Sequence, residues 1–197
     1  TITHPPAADG LQTSTDPVLT LDPPSEINAF VDVFYVGGTA DVATDFTASY
    51  GTVAFGPGEI SKPAPGPVVA LDDFLYENVE TVRLGLRNPV SARIPAEAAH
   101  TVEIVSNDAR PVIFFAAAQS EDDEPTGDAP RNVNVVLSNP SGLETSVDVC
   151  RVGGTATVGP GPGVDAQTSC QTLVFPPTQV TQAYTFIVFD DPVGEPA

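Results

Sequence analysis

Methionine and tryptophan are absent from this 197-residue chain, and basic residues are scarce: seven Lys and Arg stand against 26 Asp and Glu, a net charge of −19. So acidic a surface repels phosphates, which excludes nucleic acid and anionic membrane as partners; cations are its natural ligands. No apolar run approaches the roughly 20 residues of a membrane-spanning helix, so no insertion is expected. Thr1–Pro6 has neither a basic region nor an apolar run, so it is not a signal peptide. Without an initiator Met, the chain is expected to be a processed product or a piece of something longer. Histidine is limited to His4 and His100, each outside any nucleophile motif. No Gly-x-Ser-x-Gly, His-Glu-x-x-His or phosphate-loop pattern occurs. The chain therefore reads as a non-enzyme. A glycan-cleaving pair such as Asp72-Asp73 is the remaining catalytic option, and adjacent residues at a strand end point apart.

Proline (21) and glycine (16) are plentiful. Proline at that density leaves few windows long enough for a helix, which excludes a helical bundle. The hydrophobic share of 41% supports packed cores, so acidity does not imply disorder here. The length allows one or two domains of about 100–200 residues each.

An internal repeat organises the chain. Pro24-Ser25 and the run Val31-Asp32-Val33-Phe34-Tyr35-Val36-Gly37-Gly38-Thr39-Ala40 return as Pro140-Ser141 and Val147-Asp148-Val149-Cys150-Arg151-Val152-Gly153-Gly154-Thr155-Ala156. Downstream, Asp45 and Thr52–Phe55 match Asp165 and Thr172–Phe175. Asp72-Asp73 and Glu77 then match Asp190-Asp191 and Glu195. Landmarks kept in order with small changes of spacing indicate two copies of one fold with different loops. Within each copy the period is that of β-strands: Val31/Val33/Tyr35 alternate with Asp32/Phe34/Val36, and Tyr184/Phe186/Val188 with Thr185/Ile187/Phe189. Val18–Leu21, Val82–Leu86, Thr101–Val105 and Val133–Leu137 add strands. Asn88-Pro89, Asn139-Pro140 and Gly-Pro clusters punctuate them. Short strands at this spacing predict β-sandwiches. The Ala-rich stretches at 96–99 and 116–118 are too short for helices.

These motifs resemble the Calx-beta domain family. Copy one carries Gly38-Thr39-Ala40, Asp45-Phe46, Gly51–Phe55, Pro57-Gly58-Glu59, Asp72-Asp73, Glu77, Glu80-Thr81, Asn88-Pro89 and Ser106-Asn107-Asp108 in the family's order. Copy two keeps Gly154-Thr155-Ala156, Asp165 and Asp190-Asp191, loses the aromatic residue after Asp165, and has Pro176-Pro177 in place of the Pro-Gly-Glu turn. The resemblance implies an all-β fold of tandem immunoglobulin-like sandwiches, 1–110 and 111–197, often extracellular and in some members calcium-binding. By alignment of the copies, the first lacks most of its opening strand and the second lacks its last two.

Calcium takes about six to eight oxygens, which acidic loops at one end of a sandwich can supply. The resemblance implies Asp45, Asp72, Asp73, Glu77 and Asp108 in copy one, and Asp165, Asp190 and Asp191 in copy two. Glu121, in the acidic run between the copies, is a further candidate, for an interdomain site. The plain alternative is that the surface loops of an acidic protein are acidic anyway.

Cys150 aligns with Phe34 and Cys170 with Tyr50, an aromatic pair exchanged for a cysteine pair. Paired exchange implies cross-strand contact and predicts a Cys150–Cys170 disulfide, hence an oxidising compartment; two unpaired buried thiols are the alternative. The expected role is a segment of an extracellular structural or adhesive repeat protein with calcium-rigidified loops, its partners being neighbouring repeats or identical subunits. The alternative is a subunit of an extracellular filament or sheath, assembled head-to-tail by β-strand complementation.

Overall fold

In this computed structural model, residues 2–3, 14–15, 17–66, 68–96, 98–121, 126–159 and 164–190 are described. The chain divides into two compact units, Thr1–Asp108 and Ala109–Ala197. Every regular element among the described residues is a β-strand.

The first unit contains β1 (Ile2–Thr3), β2 (Ser14–Thr15), β3 (Val18–Thr20), β4 (Ala29–Gly38), β5 (Phe46–Ala48), β6 (Gly51–Phe55), β7 (Ser61–Pro63), β8 (Val68–Ala70), β9 (Glu80–Val90) and β10 (Ala99–Val105). One sheet runs β1-β10-β9-β4-β6; the other strands pair as β2-β8-β5 and β3-β7. The alternation visible in the sequence aims one face of each strand inward. Ala29, Val31 and Val33 of β4 meet Val53 and Phe55 of β6, Val82 and Leu84 of β9, and Val102 and Ile104 of β10 in one core. Phe46 is completely buried in that core. The Asp-Phe pair at 45–46 therefore turns an acid to the loop and a ring to the interior.

β4 lies between β6 and β9, and its two edges are tied by one side chain. Asp32 accepts a hydrogen bond at Oδ1 from the Thr52 hydroxyl of β6 (2.5 Å) and at Oδ2 from Asn88 Nδ2 of β9 (2.8 Å). These two donors, Thr52 first, hold the Asp32 carboxyl below its ordinary pKa. Asn88 sits at φ +52°, a left-handed conformation that Asn tolerates better than Ala. Asn88→Ala is expected to destabilise the first unit, through the lost hydrogen bond to Asp32 and the backbone cost of a left-handed Ala. The urea midpoint of the first transition measures it, and an unchanged midpoint would exclude the tie.

The Gly-Thr-Ala motif has a structural reason. A Cβ on Gly38 would lie 1.9 Å from the Thr81 carbonyl oxygen, so only Gly allows this approach. Thr39 and Ala40 then donate their amides to that same oxygen (3.0 and 3.2 Å), and Thr39 Oγ1 accepts from the Thr81 amide (2.9 Å). This clamp fixes the end of β4 on the start of β9, beside Glu80.

The second unit contains β11 (Ile113–Phe115), β12 (Ala129–Leu137), β13 (Thr145–Val149), β14 (Ala166–Gln167), β15 (Gln171–Phe175) and β16 (Thr181–Val188). They pair as β11-β12-β16-β14 and β13-β15. Val135, Leu137, Val149, Leu173, Phe175 and Tyr184 form its core. By the repeat, β13 corresponds to β4 and β15 to β6. Among the described residues nothing corresponds to β9 or β10, so β13 is paired on one edge. In the first unit, likewise, no described strand corresponds to β11 beside β3; β1 runs parallel to β10 instead. Cys150 and Cys170 are disulfide-bonded with Cα atoms 4.3 Å apart. They lie one step past the last paired residues of β13 and β15, Val149 and Gln171. Their counterparts Phe34 and Tyr50 occupy the same cross-strand positions, but the Tyr50 ring stacks on Tyr35 (6.5 Å) and Phe34 lies under the Arg87 guanidinium (4.7 Å).

Candidate metal centre

The end of the first unit near the start of β9 gathers carboxylates. Asp45 stands in the β4–β5 connection and is buried, with 8% of its surface exposed. Its position is fixed by three backbone contacts. Oδ2 accepts from the Asp41 amide (2.6 Å), the Asp45 amide donates to Asp41 O (3.1 Å), and the Asp45 carbonyl accepts from the Leu71 amide (2.8 Å). Glu77 stands in the β8–β9 connection and Glu80 is the first residue of β9. One carboxylate oxygen each from Asp45, Glu77 and Glu80 lie within 4.8 Å of one another.

Three acids this close repel one another, and burial removes the water that would screen them. Glu77 is pushed up to about 7, by burial first and then by the charges of Asp73, Asp45 and Asp108. Glu80 is pushed up to about 8, by burial first, then by its hydrogen bond with Asp45, then by the charges of Asp45, Glu77 and Asp41. No cationic side chain contributes to either shift. Glu80 Oε2 and Asp72 Oδ1 are buried without a hydrogen-bond partner. Such oxygens are costly unless something positive meets them. The donor set is all oxygen, which suits a hard cation and not zinc.

The acids named from sequence thus divide. Asp45 and Glu77 are in the cluster. Asp73 and Asp108 lie near enough to act on Glu77, while Asp73 Oδ1 also caps the Leu75 amide (2.8 Å). Asp72 has a buried oxygen without a hydrogen-bond partner but is not one of the three clustered acids. Glu80 was not a sequence candidate, because it reads as the opening of a strand. Its spacing of three from Glu77, across the loop-to-strand junction, was the available signal.

In the second unit Asp165 repeats the staple of Asp45: Oδ2 accepts from the Thr157 amide (2.6 Å), and its carbonyl accepts from the Phe189 amide (2.9 Å). Asp190 is exposed and donates its amide to Asp128 Oδ1 (3.3 Å). Asp191 and the Glu195 counterpart of Glu77 lie outside the described residues, as do Asp122–Glu124. Glu121 is exposed and belongs to the second unit. No second cluster of three acids occurs among the described residues.

Comparison with known proteins supplies the remaining observation. The Calx-beta domain family matches residues 18–108 and again residues 106–197. Solved structures similar to the chain include CBD12 from CALX1.2, at 19% identity and a TM-score of 0.46 over 89% of this chain and 69% of that one. The calcium binding domain CBD12 of CALX1.1 is similar at 18% and 0.46, over 90% and 69%. The apo-form Calx CBD1 domain is similar at 27% and 0.39, over 42% and 73%. No curated protein matches the chain.

Proposed function

The chain belongs to the Calx-beta domain family, in two tandem copies, and on that premise we propose that it is a calcium-binding structural repeat segment rather than an enzyme. The observation that carries this reading is the convergence of Asp45, Glu77 and Glu80 oxygens within 4.8 Å, with Asp73 and Asp108 adding negative charge. These carboxylates would hold the ion, and backbone carbonyls and water would complete its shell of oxygens. The ion would neutralise the repulsion that raises Glu77 and Glu80. It would thereby tie the β4–β5 connection, the β8–β9 connection and the head of β9 into one rigid end. Neither raised glutamate faces a nucleophile motif, which favours binding over acid–base catalysis.

The role we assign to that rigidity is mechanical, in an extracellular or cell-surface adhesive array. The Cys150–Cys170 disulfide supports an oxidising compartment, and no helix among the described residues is long and apolar enough to cross a membrane. A second reading is a filament subunit joined by strand complementation; among the described residues β13 pairs with β15 alone.

Calorimetric titration of the chelator-stripped protein tests the calcium reading. Saturable heat is expected at or below millimolar calcium. Glu80→Gln is expected to weaken binding at least about tenfold, which is about 1.4 kcal/mol. Absence of heat at millimolar calcium would contradict it. The filament reading predicts that sedimentation mass grows with concentration, and a monomer at all concentrations would contradict that.

A further inference from the structure

The two units hold the same loop with different chemistry. In the first, the Tyr35 hydroxyl donates to the Ala40 carbonyl (3.4 Å). The other end of that peptide group, the Asp41 amide, donates to Asp45 Oδ2 (2.6 Å). In the second, Arg151 Nη2 donates to the carbonyls of Ala156 (3.1 Å) and Gly154 (3.0 Å). The Thr157 amide, which shares its peptide group with the Ala156 carbonyl, donates to Asp165 Oδ2 (2.6 Å). In both units one peptide group therefore stands between a donor side chain and the stapled carboxylate. Its carbonyl meets a phenol in the first unit and a guanidinium in the second.

The neighbouring residues have changed in step. Tyr35 lies against the rings of Phe46 (5.6 Å) and Tyr50 (6.5 Å), and the second unit has Ala166 and Cys170 at those places. A guanidinium that bonds two carbonyls has no need of that aromatic bed, which accounts for the missing ring after Asp165. Asp41, whose charge helps to raise Glu80, gives way to Thr157. The exchange of Tyr35 for Arg151 and that of Asp41 for Thr157 each make the second unit's loop end one charge more positive. A fixed positive charge there weakens the pull on a further cation.

We infer that Arg151 is the resident cation of the second unit's loop end: acting through the Ala156–Thr157 peptide group, it offsets the charge of Asp165, which is a staple and not a calcium ligand. The contrast with the first unit rests on the calcium reading; the Arg151 contacts do not. A peptide group with a cation at its carbonyl and an anion at its amide is polarised the same way from both ends, so the two charge-assisted bonds strengthen each other. The rest of the turn hangs on the same point, since the amides of Asp165 (3.0 Å) and Ala166 (3.2 Å) both donate to Thr157 O. This loop end keeps its form without calcium, and Arg151 is its positioning residue.

Amide exchange of the intact protein, followed by nuclear magnetic resonance in chelator and in millimolar calcium, tests this. The amides of Thr157, Asp165 and Ala166 should be equally protected in both, whereas those of Asp41 and Asp45 should gain protection from calcium. Arg151→Gln keeps a hydrogen-bonding side chain and removes the charge, while Arg151→Lys keeps the charge. In chelator, Arg151→Gln should speed exchange at Thr157 and Asp165 at least about tenfold, and Arg151→Lys distinctly less. Arg151 is exposed, so the β12–β16 ladder should exchange as before in both variants. The inference is overturned if Arg151→Gln protects the loop as well as Arg does, or if calcium adds protection to these amides in the unaltered protein. Amides of Asp41 and Asp45 that ignore calcium, while the two variants still differ, would remove the calcium reading and leave Arg151 in its role.

Discussion

In calcium-free solution the first unit is expected to lose stability as pH rises from about 5 to about 8, and calcium is expected to abolish that loss. Glu77 and Glu80 have folded pKa values of about 7 and about 8 against an ordinary 4.5. Between the ordinary and the raised values, the unfolded chain has given up protons that the folded unit still holds. Stability therefore falls with rising pH across that window and levels off above about pH 8. Both side chains are half-exposed, so solvent screening reduces the size of the effect; a drop on the order of 5 °C in the first melting transition is expected. Calcium requires the ionised carboxylates, so its affinity should rise over the same window. At a hundred times its dissociation constant it would add about 2.7 kcal/mol. Melting curves at pH 5.5 and 8.5, in chelator and in calcium, measure both effects. Parallel pH profiles with and without calcium would separate the metal from these two glutamates.

Reduction of the Cys150–Cys170 bond is expected to cost the second unit about 3 kcal/mol, the loop-closure entropy of a sequence separation of 20. In a unit of this size that corresponds to a fall of about 10–20 °C in its melting temperature. The first unit contains no cysteine, so its transition should not move. Calorimetry with and without reductant, repeated on Cys150→Ser/Cys170→Ser, reads both transitions in one scan. A second transition that reductant leaves in place would mean the bond stabilises nothing. Free labelling of the thiols in unreduced protein would mean that it does not form.

The fold was legible because the repeat states it twice. The alternation at Val31/Val33 and the buried Phe of Gly51–Phe55 recur at Val147/Val149 and Gln171–Phe175, and both copies place them in equivalent strands. The length of β13 was not legible. Val147–Gly154 looks like a full strand, but extended backbone needs a partner to hydrogen-bond, and Cys150–Gly154 lacks one among the described residues. The disulfide followed from residue exchange between copies because cross-strand position survives a change of side chain. The aromatic contact expected at that position, Phe34 with Tyr50, is replaced by Tyr35 with Tyr50, since ring direction is set by neighbours such as Arg87 and not by register.

The candidate site was legible as a set of acidic loops and not as a geometry. The family resemblance pointed to Asp45 and Glu77 but could not tell which oxygens converge, which cap a local turn as Asp73 does, or that the first residue of β9 completes the group. Asp45 itself has two tasks that the sequence does not separate. One oxygen staples its loop through the Asp41 amide, a task Asp165 repeats in the second unit. The cluster with Glu77 and Glu80 is present in the first unit alone among the described residues.

The most direct test is the anomalous difference density of crystals grown with calcium. The expected result is a peak coordinated by carboxylate oxygens of Asp45, Glu77 and Glu80 at about 2.3–2.6 Å, lost in crystals of Glu77→Gln/Glu80→Gln. Well-ordered carboxylates at this end of the first unit with no peak between them, at a calcium concentration that saturates any measured binding, would contradict the assignment.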